Sequence, residues 1–175
     1  MSSQPPTSTA LPIAHAVLRL LIVVNWLGGG AILVLLIAMP TEQWIMSSLD
    51  LSPSPQADRL ILGLQTIAAI GLVTTPLNHL VLGRLLAIIE TVRTGDPFVA
   101  ANAARLQTIA WTLLGLQVLS LVVGAIVRAI SIPGHPLDID AGFSINGWLA
   151  VLLTFLLARV FAAGTHMRDD LEGTV

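Results

Sequence analysis

Four apolar runs constrain this chain more than any motif in it, because each is long enough to cross a hydrocarbon core that needs roughly 20 residues of helix. They cover residues 13–39, 58–82, 105–131 and 146–165 of a 175-residue chain. Only 10% of the residues are charged and 55% are hydrophobic, at a mean hydropathy of +0.87. Soluble domains carry about 25% charged residues, so this chain lacks the charge to clothe so apolar a core in water. The fold expected is therefore all-α, an integral membrane four-helix bundle.

Taken in order, residues 1–12 are rich in Ser, Thr and Pro without apolar periodicity, which predicts a disordered N-terminal tail. They lack the basic region of a signal peptide, so the first run is expected to stay as an anchor. Inside that run lie Asn25 and Gly28-Gly29-Gly30. Three glycines weaken an isolated helix, and a close neighbouring helix is the expected compensation. Pro40, Glu42 and an interfacial Trp44 mark its far end. Ser52-Pro53-Ser54-Pro55 reads as a loop, and Asp58 as the cap of the second run. Pro76 is expected to kink that helix, with Thr74 and Thr75 satisfying the freed carbonyls. Leu85, Ile88, Ile89 and Val92 continue one stripe beyond the apolar part, flanked by Arg84, Glu90 and Arg93. Residues 131–144 read as a loop, and residues 166–172 as a charged tail beyond the fourth helix. One membrane domain over residues 13–170 follows, with a short tail at 171–175.

The second and third runs are joined by Arg93-Thr94-Gly95-Asp96-Pro97-Phe98. Gly95 suits the position just past a helix end, where positive φ is cheap. Asp96 is expected as the N-cap and Pro97 as the first residue of the third helix. A helix from Pro97 to Ser131 would be about 52 Å long, more than the bilayer core. The second and third helices are thus expected to form an extended hairpin projecting from the membrane. Arg19, Arg84, Arg93, Arg105, Arg159 and Arg168 fall at the turn end, against Arg59 and Arg128 at the other. By the positive-inside rule the turn and both termini are cytoplasmic.

The composition also excludes classes of function. There is no cysteine, hence no disulfide and no thiolate chemistry. A net charge of −2 without a basic patch speaks against direct nucleic-acid binding. No phosphate loop, nucleophile elbow or zinc-protease helix occurs, so no catalytic residue is nominated and the chain is expected not to be an enzyme. No cofactor and no metal are expected. His15, His79 and His166 fall at one depth on three helices, a placement that a haem or metal could exploit, but no ligand spacing accompanies it and half-solvated histidines are the preferred reading. No Asp, Glu, Arg or Lys occupies the centre of a run, which counts against coupled transport. Polar residues such as Gln65, Gln107, Thr112 and Gln117 read as interhelical hydrogen bonders. Gly71-x-x-x-Thr75 and Ser120-x-x-x-Gly124 read as close-packing pairs.

Gly95-Asp96-Pro97-Phe98-Val99, then Asn102-Ala103 and Leu106, and at the C-terminus Val160-Phe161, Gly164, Met167-Arg168 and Thr174-Val175, resemble the DUF2975 family of small bacterial four-helix membrane proteins. The resemblance extends from the first helix onward, with these two motifs as its specific part. Family members are often encoded beside a small helix-turn-helix regulator of the Xre type. The resemblance thus implies a membrane partner for such a regulator in a bacterial inner membrane. Ala100-Ala101 and Ala103-Ala104 stand where relatives are often more charged, making any contact there less electrostatic.

Two readings of the turn remain side by side. In the structural one, Asp96 caps, Phe98 anchors at the headgroups or between helices, and Arg105 snorkels to lipid phosphates. In the functional one, Arg93, Gly95, Asp96, Pro97, Phe98, Asn102 and Arg105, completed by Phe161, Gly164 and Arg168, form a docking surface for a cytosolic partner. The alternatives are a small transporter or channel-like protein acting as a homo-oligomer and, behind it, a haem or metal binder.

Overall fold

The computed structural model describes residues 10–38, 55–93, 95, 97–131 and 141–172. The readings of the N-terminal tail before residue 10, of Pro40, Glu42 and Trp44, of Thr94 and Asp96, and of the loop 132–140 lie outside the described residues. The described chain is all-helical. It comprises α1 (Ala10–Ala38), α2 (Pro55–Arg93), α3 (Ala100–Ile130) and α4 (Ile145–Glu172). Each is long and apolar enough to cross a membrane.

Several boundaries differ from the sequence reading. α1 opens at Ala10, with Pro12 inside its first turn, where the missing N–H has no helical partner to lose. α2 opens at Pro55 for the same reason, which places Asp58 within the first turn rather than as the cap. There its carboxylate still complements the positive end of the helix. α4 runs on to Glu172, so residues 166–172 are helix and not a trailing tail.

The helices pack in a row: α1 on α2, α2 on α3, α3 on α4. Among the described residues α1 does not meet α4, so the expected bundle is open along one side. The reason lies in the solvent of an apolar chain. Large exposed side chains such as Leu27 and Ile37 on α1 and Leu152 on α4 incur no penalty when acyl chains cover them.

What holds the row is close approach and hydrogen bonding. At the first seam Gly29 faces Thr75, and a β-carbon on Gly29 would lie 2.6 Å from Thr75 Cγ2. Asn25 Nδ2 donates to Thr75 O at 3.0 Å, and Trp26 Nε1 donates to His79 Nδ1 at 3.2 Å. Of the three glycines, Gly29 alone meets a neighbour among the described residues; a β-carbon at Gly28 or Gly30 would have none of their atoms within 4 Å. Gly71 packs against Ile32, so Gly71 and Thr75 together form the notch for α1, as their spacing predicts. The hydroxyls of Thr74 and Thr75 both donate to Gly71 O, at 2.8 and 3.2 Å. That carbonyl is one residue before Leu72 O, the acceptor that Pro76 orphans, so neither hydroxyl serves the freed carbonyl: Thr75 bonds four residues back and not three.

At the second seam Leu106 and Ile109 of α3 are buried against Val81, Leu85 and Ile88 of α2, and Ala158 of α4 completes the cluster. Gly63 admits the Ile130 side chain at the far end. At the third seam Trp111 and Phe155 meet edge-on with centroids 5.2 Å apart. Gly124 does not receive a helix here but the backbone of Gly142, whose Cα would lie 2.6 Å from a β-carbon at 124. The Ser120 hydroxyl donates to Gly142 O and accepts from Gly142 N, both at 3.2 Å. Ser120 and Gly124 thus dock the segment entering α4, whose first turn sits with Gly147 on Gln117, halfway along α3.

Candidate functional site

The turn end of the row is built around one side chain. Asn102, on the first turn of α3, is the largest fully buried residue described. Its Nδ2 donates to Thr91 Oγ1 at 2.7 Å and to Pro97 O at 2.9 Å. Its Oδ1 accepts from Arg105 Nη1 at 2.8 Å. The Thr91 hydroxyl in turn donates to Ile88 O at 2.7 Å, and Arg105 Nη1 also reaches Ala87 O at 3.2 Å. One amide therefore ties the last turn of α2, the connecting segment and the first turns of α3 together. A buried polar group is tolerated only when its hydrogen-bonding capacity is met, and here it is.

This network explains two departures from the sequence reading. α3 begins at Ala100 and not at Pro97. Val99 occupies the cap position in an extended conformation without a side-chain cap, and Asn102 N donates to Val99 O at 2.9 Å. The amide of Asn102 holds Pro97 O from inside, which keeps residues 97–99 outside the helix. Arg105 does not snorkel to the lipid phosphates. It lies one turn from Asn102 on the same face of α3, and that face is turned to α2, where Asn102 Oδ1 and Ala87 O are the acceptors. Gly95 behaves as expected, at φ +94° just past the end of α2, with its N–H on Val92 O at 3.1 Å. Arg93 pairs with Glu90 at 3.7 Å, a solvent-facing contact of small energetic consequence.

Phe98, released from the helix, crosses to α4. Its ring lies 5.3 Å from that of Phe161 and covers Gly164, where a β-carbon would be 2.9 Å from Phe98 Cδ1. Only a glycine at 164 lets the ring sit so close. Phe98, Val160, Gly164, Met167 and Arg168 line an open recess of about 360 Å³. Two stretches more than sixty positions apart in sequence thus meet: Phe98 with Phe161, Gly164 and Arg168. Asn102 and Arg105 belong to the scaffold beneath, and the sequence reading does not separate these two roles. Val160 and Met167, 54% and 63% exposed, extend the recess. Both stand in the C-terminal motif, but only the helical continuation of α4 puts them on one face with Gly164.

The histidines do not converge. His79 is engaged by Trp26, whereas His15 lies eleven residues from Trp26 on α1, about 16 Å along the axis. His166 lies within α4, six residues before its end. Among the described residues no group of His, Asp or Glu is arranged to hold a metal.

A row of four membrane-length helices, joined through buried amides and glycine notches and without a recognisable catalytic constellation among the described residues, defines a polytopic α-helical membrane protein. The chain belongs to the DUF2975 family, a family of unknown function, which it matches over residues 66–175. That match takes in α3, α4 and most of α2, and leaves α1 outside, a narrower extent than the resemblance expected from the first helix onward. No curated protein and no solved structure matches the chain.

Proposed function

We propose that this chain is a non-enzymatic, multi-pass protein of a bacterial inner membrane that docks a cytosolic protein on the recess between Phe98 and the end of α4. The meeting of the two family motifs in one open, apolar recess, braced from behind by Asn102, carries this reading. The turn is assigned to the cytoplasm because six of the eight arginines gather at that end. α2, with 39 residues, is about 58 Å long against a hydrocarbon core of about 30 Å, so the α2–α3 hairpin extends into the cytosol. An Xre-type helix-turn-helix regulator is the partner favoured by the family resemblance.

The test is capture. Detergent-solubilised protein is expected to retain a co-expressed Xre-type regulator from the same genome, and Met167→Asp, on an exposed side chain, to abolish retention without changing thermal stability. Phe98→Ala is expected to do the same at some loss of stability, because its ring also packs on Gly164. Undiminished capture by both variants would remove the recess from the argument. A small transporter or channel acting as an oligomer is the second reading. In its favour stand Gln117 Nε2 and Trp148 Nε1, two buried N–H groups near the start of α4 that have no hydrogen-bond partner among the described residues. Substrate flux in proteoliposomes, absent from empty vesicles, would favour it over docking.

A further inference from the structure

We propose that the α3–α4 face binds one anionic phospholipid, its headgroup held by Arg159 and Gln107. A groove of about 230 Å³ lies between the two helices, with Ala103, Ala158 and Ala162 as its floor and Phe155 at its apolar end. Arg159 and Gln107 stand at its polar end, both exposed. Among the described residues neither has a hydrogen-bond or ion-pair partner, whereas Arg93 is paired with Glu90 and Arg105 is committed to Asn102 and Ala87. Arg19 and Arg84 are exposed as well, but neither lines this groove.

Depth identifies the occupant. Trp111, 60% exposed, packs edge-on against Phe155. Tryptophan on membrane helices is enriched at the boundary between headgroups and hydrocarbon. Gln107 and Arg159 each lie four residues nearer the turn than Trp111 and Phe155, about 6 Å farther into the headgroup layer. The groove thus offers a guanidinium and an amide N–H at phosphate depth, and a smooth alanine floor leading to Phe155 at acyl depth. A phosphate oxygen on Arg159, a glycerol-ester or phosphate oxygen on the Gln107 amide and a chain laid over the alanines satisfy all three. A zwitterionic headgroup would bring its own ammonium beside Arg159; an anionic one would not.

This inference rests on the membrane reading of the chain and is independent of the docking partner. The experiment uses the full chain in detergent, loaded with phosphatidylglycerol or with phosphatidylcholine of the same acyl chains, then washed and weighed by native mass spectrometry. One phosphatidylglycerol per chain is expected to survive washing at about fivefold higher occupancy than phosphatidylcholine, the attraction of one basic side chain for an anionic lipid. Arg159→Gln should erase that preference, Gln107→Ala should weaken it, and Arg84→Gln, which alters an exposed arginine outside the groove, should leave it intact. Equal retention of the two lipids by the wild type would overturn the proposal. So would Arg159→Gln holding phosphatidylglycerol as the wild type does, or Arg84→Gln losing it to the same degree.

Discussion

Replacing Asn102 by leucine, which is close to it in shape, tests the claim that one amide organises the turn end. The substitution deletes the donations to Thr91 and Pro97 and the acceptor offered to Arg105. Side-chain hydrogen bonds in membrane proteins average about 0.6 kcal/mol in double-mutant cycles, which puts the lower bound for three near 2 kcal/mol. Thr91 keeps Ile88 O and Arg105 keeps Ala87 O, but Pro97 O loses the amide that held it from inside. Leaving a buried group unpaired adds about 1–3 kcal/mol, so the expected loss is about 3–5 kcal/mol. The low end corresponds to about a 150-fold shift in the folding equilibrium. Thr91→Val removes a single link and is expected to cost about 1 kcal/mol. Because both changes cut the same bond, the double variant should lose less than the two singles combined, by about 0.5–1 kcal/mol. Equilibrium unfolding in mixed micelles measures all three. An Asn102→Leu protein within about 0.5 kcal/mol of the wild type, or strict additivity in the double variant, would refute the reasoning.

Other expected outcomes follow from the glycines and the topology. Gly29→Ala forces a β-carbon onto Thr75 and is expected to destabilise by about 1–3 kcal/mol. Gly28→Ala, which meets nothing, should be neutral or stabilise by up to about 1 kcal/mol in the same unfolding assay. Gly124→Ala should cost about 2 kcal/mol or more, since the obstacle is the Gly142 backbone and not a movable side chain. The chain has no cysteine, so a single Arg93→Cys provides a clean reporter of sidedness. It should react with a membrane-impermeant maleimide only after the cells are opened, and labelling from outside intact cells would reverse the orientation.

Much of the fold was legible because lipid imposes a simple rule: an apolar run of sufficient length must become a helix. The glycine past α2 and the notch of Gly71 and Thr75 could be read from residue types and spacing, whereas the meeting of Phe98 with Phe161 could not, since no local signal joins stretches more than sixty positions apart. Local signals failed where a distant side chain decided. Asp96 and Pro97 read as a helix start by propensity, yet α3 starts at Ala100, where Asn102 pins Pro97 O. Arg105 read as a lipid-facing charge because nothing in its neighbourhood reveals that Asn102 offers it a buried acceptor. The three histidines read as coplanar because helix register is set by tertiary contacts such as Trp26 with His79, which sequence spacing does not contain.

The gap between α1 and α4 has a mechanical meaning. An element at the rim of such an array can slide away within the plane of the bilayer without ever wetting an apolar side chain. Among the described residues α1 is fastened only to α2, by the Asn25 and Trp26 donors and the cleft at Gly29. It and α4, which among those residues is fastened only to α3, are thus the two leaves that can swing without breaking the α2–α3 seam.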